Sequence, residues 1–161
     1  MVQRLDEGMQ SLAEVIKKTT GKDITNYPGA GAAGGMGGGL LAFFNAELKP
    51  GTELLLKAID FSEKIKGADL IITGEGKADQ QTAMGKVPYG ILKEAQKEHI
   101  PVIVLAGSIE NLPELNKAGF KGIFSIAPGP ITLEKAMEPE FAKENITRLV
   151  SQLYSVITSF G

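Results

Sequence analysis

The stretch DLIITGEGKADQQTAMGKVP, Asp69 to Pro88, decides the fold. It opens on Leu70-Ile71-Ile72, a short, β-branched apolar run bounded by turn residues. Such a run predicts a strand buried on both faces of a parallel sheet. It passes into Thr73-Gly74-Glu75-Gly76, where two glycines free the backbone to turn sharply or to approach a ligand. A loop leaving the strand is therefore expected there. Polar side chains crowd together next, at Lys77, Asp79, Gln80, Gln81 and Thr82. Gly85-Lys86 follows, and a helix is expected to begin near Pro88, a residue suited to a first helical turn. Ligands of open α/β sheets sit outside the carboxyl ends of the strands, which makes this segment the candidate site.

Downstream, the pattern alternates. Tyr89 to Glu98 reads as a helix, with His99 as a helix-end residue, and Val102 to Leu105 as a strand ending in Ala106-Gly107-Ser108. Leu112 to Ala118 predicts a short helix closed by Gly119, and Gly122 to Ile126 a third strand ending at Ala127-Pro128-Gly129-Pro130. Thr132 is a candidate N-cap, and a last helix over 141–159 carries Ile146, Leu149, Val150, Leu153, Val156 and Ile157 on one face. Strands and helices alternating through short links predict an α/β fold: three layers, a mostly parallel sheet, helices on both faces.

Upstream, Leu5, Met9, Leu12, Val15 and Ile16 recur at helical spacing over 3–18, an amphipathic stripe expected to pack into a core. A glycine-rich run follows. Gly29, Gly31 and Gly34 spell G-x-G-x-x-G, with Gly35 and Gly37 to Gly39 behind them. No strand precedes the pattern, so as a dinucleotide fingerprint it is weak. Two readings stay open for it. A helix from about Gly34 through Phe44 packs closely through its small residues, or an anion approaches a helix N-terminus. Two further short helices are expected over 52–59 and 60–66. The chain divides on this reading into a helical, glycine-rich segment, 1–60, and a parallel α/β segment, 61–161.

The 161 residues carry a net charge of −2, 43% apolar residues and no cysteine. That balance excludes a basic nucleic-acid groove and any disulfide framework or thiolate site. No apolar run reaches the length of a membrane span, and the N-terminus has no signal-peptide core. A cytoplasmic protein is expected.

Only the first strand end carries ionisable groups. Glu75 and Asp79 are candidates to hold a hydrated Mg²⁺, or to accept a proton from a substrate hydroxyl. Lys86 is a candidate point charge for a phosphate. These are parts for phosphoryl transfer, although the Gly76 to Gly85-Lys86 spacing is too long for a P-loop and Val87 stands where its Ser or Thr would be. Solvated loop carboxylates that merely cap turns are the alternative.

Two motifs together are more specific. PGAGAAGGMGGGLLAFFNAELKPG (28–51) and ITGEGKADQQTAMGKVPYG (72–90) closely resemble the bacterial glycerate kinase family, and the resemblance continues through VIVLAGS (102–108), IFSIAPGP (123–130) and the final helix. It implies ATP- and Mg²⁺-dependent transfer of phosphate to a hydroxyl of glycerate, in a cleft of a two-domain α/β kinase fold. It places Gly74, Glu75, Gly76, Asp79, Gly85 and Lys86 at the site, with the glycines of 29–39, including Gly29, Gly31, Gly34 and Gly35. Asp79 is then base or metal partner, Glu75 lies near the metal and Lys86 near phosphate. The resemblance matches only the C-terminal part of family chains more than twice this length. It therefore implies a truncated form, inactive alone, whose partner is the missing N-terminal portion and which self-associates through an exposed apolar face. A non-catalytic α/β module binding a nucleotide or a partner chain is the alternative, and a dinucleotide-dependent oxidoreductase a third.

Overall fold

A computed structural model describes residues 2–110 and 112–159. It forms two compact units, Met1–Gly51 and Thr52–Gly161.

The first unit is helical. Helix α1 (Val2–Thr20) and helix α2 (Ala32–Phe44) enclose a small core of Ala13, Ile16, Ile24 and Ala42. The stripe expected to be core is only partly so. Ile16 is buried, whereas Leu5, Leu12 and Val15 are 64%, 48% and 55% exposed. Only Ile24 and Ala42 reach this buried cluster from outside α1, too little to cover a stripe of that width. The glycines of α2 are used for backbone approach: a Cβ at Gly37 would stand 2.3 Å from the Gly29 carbonyl oxygen, and the Gly38 N–H donates to Ala30 O at 2.8 Å. Ala33, Gly34 and Gly35 are all left-handed (φ 51, 68 and 94), so the regular helix begins at Met36. At its far end the Lys22 ammonium donates to the carbonyls of Leu41 (3.3 Å) and Ala42 (3.0 Å) and to Asn45 Oδ1 (2.5 Å), supplying partners for carbonyls that a helix end leaves unpaired.

In the second unit, α3 (Gly51–Ala58) and α4 (Phe61–Lys64) lead into a three-stranded sheet of β1 (Ile71–Ala78), β2 (Val102–Ile109) and β3 (Gly122–Ser125). The order is β1-β2-β3 and both pairings are parallel, with Glu75 beside Ala106 and Ala106 beside Ser125. Helix α5 (Val87–Lys97) links β1 to β2, and α6 (Leu112–Ala118) links β2 to β3. Val102, Val104 and Ala106 pack with Leu92 and Ala95 of α5, Leu115 of α6 and Phe120. Helix α7 (Leu133–Ala136) is capped by Thr132, whose hydroxyl accepts from the Lys135 N–H, and α8 (Pro139–Thr158) closes the chain. The predicted α/β class and parallel sheet are present. Among the described residues no helix is long and apolar enough to cross a membrane.

Two expectations about β1 need correction. The strand buried on both faces is β2, in the middle of the sheet. β1 lies at the edge, and Ile72 is 44% exposed. A three-residue apolar run is too short to separate the two cases. The strand also does not end at Thr73: Gly74, Glu75 and Gly76 lie within it, because β2 likewise runs on through Ala106-Gly107-Ser108 and pairs with it as far as Ala78 and Ile109. Gly107 makes this approach feasible, since a Cβ there would sit 2.8 Å from Gly76 O. His99 ends α5 with φ 58, as expected of a helix-end residue. On α8, Leu149, Val150 and Leu153 are half-buried, while Ile146, Val156 and Ile157 remain exposed.

The crowding at Gly37 predicts a contrast. Gly37→Ala should destabilise the chain by roughly 1–3 kcal/mol through overpacking. Gly39→Ala, whose Cβ meets open space, should be neutral or stabilising by up to about 1 kcal/mol. Urea unfolding of both variants checks this, and equal effects would refute the packing account.

Candidate functional site

Asp79 is the first residue beyond β1 and caps a 3₁₀ turn, Gln80–Met84. Its Oδ1 accepts from the N–H groups of Gln81 (2.9 Å) and Thr82 (3.2 Å), and the Thr82 hydroxyl accepts from the Asp79 N–H at 3.1 Å. This reciprocal capping box satisfies donors that a helix start leaves free. Thr82 is wholly buried, and its Oγ1 also reaches Lys77 O at 3.5 Å. Gly85 (φ 127) turns the chain out of the 3₁₀ segment, and Lys86 becomes the N-cap residue of α5. The Lys86 ammonium lies 3.3 Å from Asp79 Oδ1, with both side chains mostly shielded from solvent.

Partial burial by itself would raise the Asp79 pKa. The hydrogen bond and charge of Lys86, with the Thr82 and Gln81 N–H groups, outweigh it and hold the carboxyl below its ordinary value. Asp79 is thus a permanently ionised carboxylate at neutral pH. Three donors converge on Oδ1, and Oδ2 has no protein donor among the described residues.

Glu75 stands apart. It is half-buried within β1, and its Oε1 accepts from the adjacent Gly76 N–H at 3.2 Å. Lys77 is held by Glu110 at 2.9 Å, across the ends of β1 and β2. Of the residues expected at the site, the fold therefore joins Asp79, Gly85 and Lys86 directly. Glu75 shares no hydrogen bond with them, and a Cβ at Gly74 or Gly76 would meet open space.

Gly29, Gly31, Gly34 and Gly35 belong to the helical unit. Gly31 and Gly35 border a groove of about 650 Å³ with Asp6, Glu14, Asp23 and Asn26. What precedes them is α1 and not a strand, so the setting of a dinucleotide fingerprint is absent.

Among the described residues no cluster of three or more His, Cys, Asp or Glu could cage a metal. Asp79 Oδ2, which has no protein donor among the described residues, suits an ion that takes one or two carboxylates and completes its shell with water and phosphate, as Mg²⁺ does, while Glu75 lies four residues earlier in the extended strand. The residue that sequence reasoning passed over is Thr82. Its signal was present, since Asp79 and Thr82 stand three apart at the start of a helical turn.

With this geometry established, the chain was compared with known proteins. The model of the glycerate kinase family matches residues 1–158. The chain belongs to the glycerate kinase family. It is 44% identical over 138 residues to a glycerate kinase of Halalkalibacterium halodurans, covering 85% of this chain and 36% of that one. A Bacillus cereus glycerate kinase is 41% identical over 157 residues, covering 97% and 41%. The Escherichia coli glycerate 2-kinase is 42% identical over 149 residues, covering 92% and 39%. A solved structure from Salmonella typhimurium LT2, whose name carries glycerate kinase 2 as a proposed activity, superposes with a TM-score of 0.71 at 35% identity over 98% of this chain and 40% of that one. The chain spans about two fifths of the length of these relatives.

Two measurements test the Asp79 assembly. Thr82→Val keeps the volume but strands the Asp79 N–H, and should cost about 1–3 kcal/mol, whereas Thr82→Ser should cost less. Because the folded Asp79 pKa is depressed, its contribution is complete above the unfolded value near about 3.9. It fades as pH falls through the lower folded value. The stability gap between wild type and Asp79→Ala should therefore be flat from pH 7 to about 5 and narrow below about 4; a gap that widens on acidification would refute the assignment.

Proposed function

We propose that the chain forms the C-terminal portion of a glycerate kinase, which uses ATP to phosphorylate a hydroxyl of glycerate. The observation that carries this reading is the Asp79 carboxylate, fixed at the carboxyl end of β1 by its capping box and by Lys86. Phosphoryl transfer demands positioning and electrostatic stabilisation more than covalent chemistry. An ionised carboxylate with one oxygen anchored and one free can orient a substrate hydroxyl and accept its proton as the oxygen attacks phosphorus. Lys86 keeps that carboxylate charged and can offer its ammonium to a phosphate oxygen. Glu75 and Asp79 would hold Mg²⁺, whose charge offsets that of the phosphates. We assign nucleotide approach to Gly74, Gly76 and Gly85 in the sheet-bearing unit. The reading includes a cytoplasmic setting, and turnover that requires the N-terminal portion of a family-length chain.

The test is co-expression of this chain with the part of the Bacillus cereus relative outside the matched segment, followed by ADP release with ATP, Mg²⁺ and glycerate. The pair should turn over and the chain alone should not. Asp79→Asn should lower the rate of the pair by about 10²–10⁴-fold, the usual scale for a proton-accepting group. Normal turnover by that variant would refute the role of Asp79. A pair that binds ATP without glycerate-dependent ADP release would favour a non-catalytic nucleotide-binding module.

A further inference from the structure

Of the two lysines in Asp69 to Pro88, the phosphoryl-transfer reading uses Lys86 and leaves Lys77 without a role. Lys77 stands at the carboxyl end of β1, one step before Ala78, and its ammonium lies 2.9 Å from Glu110 Oε1. Side chains alternate along extended backbone, and Asp79 is itself extended (φ −138, ψ −173). Lys77 and Asp79 therefore project from the same side of the chain, while Ala78 between them is wholly buried on the other. The Glu110 carboxylate, by hydrogen bond and by charge, and more weakly Asp79, hold the Lys77 pKa above its ordinary value. The ammonium is charged at neutral pH and belongs to the same electrostatic neighbourhood as the Asp79–Lys86 pair.

What holds Lys77 is readily exchanged. The Glu110 backbone is fixed, because its N–H donates to Ala78 O at 2.7 Å, but the side chains are 50% exposed for Lys77 and 59% for Glu110. An ion pair in that setting contributes little, and a displaced carboxylate returns to water. The strand beside it is clear, since a Cβ at Gly74 or Gly76 would have nothing within 4 Å. An ammonium is a compact charge with three donors on a flexible stem, suited to phosphate, whereas a carboxylate ligand is matched better by the planar fork of an arginine. Mg²⁺ and Lys86 also leave part of a triphosphate's charge unbalanced, and phosphoryl transfer depends on offsetting that charge. We propose that Lys77 is a second phosphate-binding lysine of the site, which exchanges Glu110 for a phosphate oxygen of ATP. Glu110 is then the competitor that the nucleotide displaces. The inference rests on the kinase reading for its ligand and leaves the role of Asp79 untouched.

ATP binding to the co-expressed pair, measured by isothermal titration calorimetry with Mg²⁺ and without glycerate, tests it. Lys77→Met should weaken binding by about tenfold or more, the scale of a hydrogen bond to a charged group, and Lys77→Arg should restore most of the loss. Glu110→Gln removes the competitor and should tighten binding by about two- to fivefold. Both side chains reach solvent, so these variants should fold as the wild type does. Effects of opposite sign are what a merely structural ion pair would not produce. Weaker binding in both Lys77→Met and Glu110→Gln, or no recovery with Lys77→Arg, overturns the proposal. So does unchanged ATP affinity in Lys77→Met, including the case in which only the KM for glycerate rises, which would place the lysine at the substrate carboxylate. A pair that gives that result and still turns over keeps the kinase reading and loses this one. A pair that shows the opposite-sign pattern without glycerate-dependent ADP release keeps Lys77 and loses the kinase reading. A pair that binds no ATP loses both.

Discussion

Ile71–Ala78 and Val102–Ile109 run side by side for eight residues, and where that ladder stops determines where the charged groups can stand. The pairing carries the backbone through Gly74-Glu75-Gly76 as strand and releases it only after Ala78. Asp79 consequently emerges at the carboxyl edge of the sheet, and its carboxylate can cap the turn that follows. Had the strand ended at Thr73, Glu75 would have been the residue at the edge and Asp79 a mid-loop carboxylate. Such an extension requires close backbone contact, and Gly107 provides it by presenting no Cβ toward Gly76 O. The glycines in this segment thus serve the ladder as well as any ligand.

Alternation of strand and helix and the cap at Thr132 were both legible in the sequence, because each depends on local periodicity or on one side chain. The extent of β1 was not. Glycine is depleted in strands and common in turns, so Gly74 and Gly76 pointed to a loop, and only the pairing with β2 holds them in the strand. Edge and centre were likewise indistinguishable from Leu70-Ile71-Ile72, since strand order is a property of the whole sheet. At the site, the ionisable residues were visible as types, but their association was not. Lys86 stands seven positions after Asp79, and only the intervening 3₁₀ turn and the left-handed step at Gly85 bring them to 3.3 Å. The amphipathic stripe of α1 shows a different limit: periodicity revealed which residues share a face, but nothing in it said whether that face would be covered.

A carboxylate tuned in this manner suits one role in phosphoryl transfer better than another. A general base works best with a pKa near the operating pH, and Lys86 together with two peptide N–H groups pushes Asp79 away from that optimum. What the arrangement gains is constancy. The group remains charged, its carboxylate is held by the Gln81 and Thr82 N–H groups and by Lys86, and its one unengaged oxygen meets no protein donor among the described residues. In a loose transition state the attacking oxygen has formed little bond to phosphorus, so its proton is still weakly acidic and a strong base gives little advantage. Orientation of the hydroxyl and a fixed negative charge, able to attract a cation, matter more. On this view Lys86 lowers the basicity of Asp79 while preserving its charge, and its ammonium, 3.3 Å from Asp79 Oδ1, is the positive group that the proposed reading offers to a phosphate.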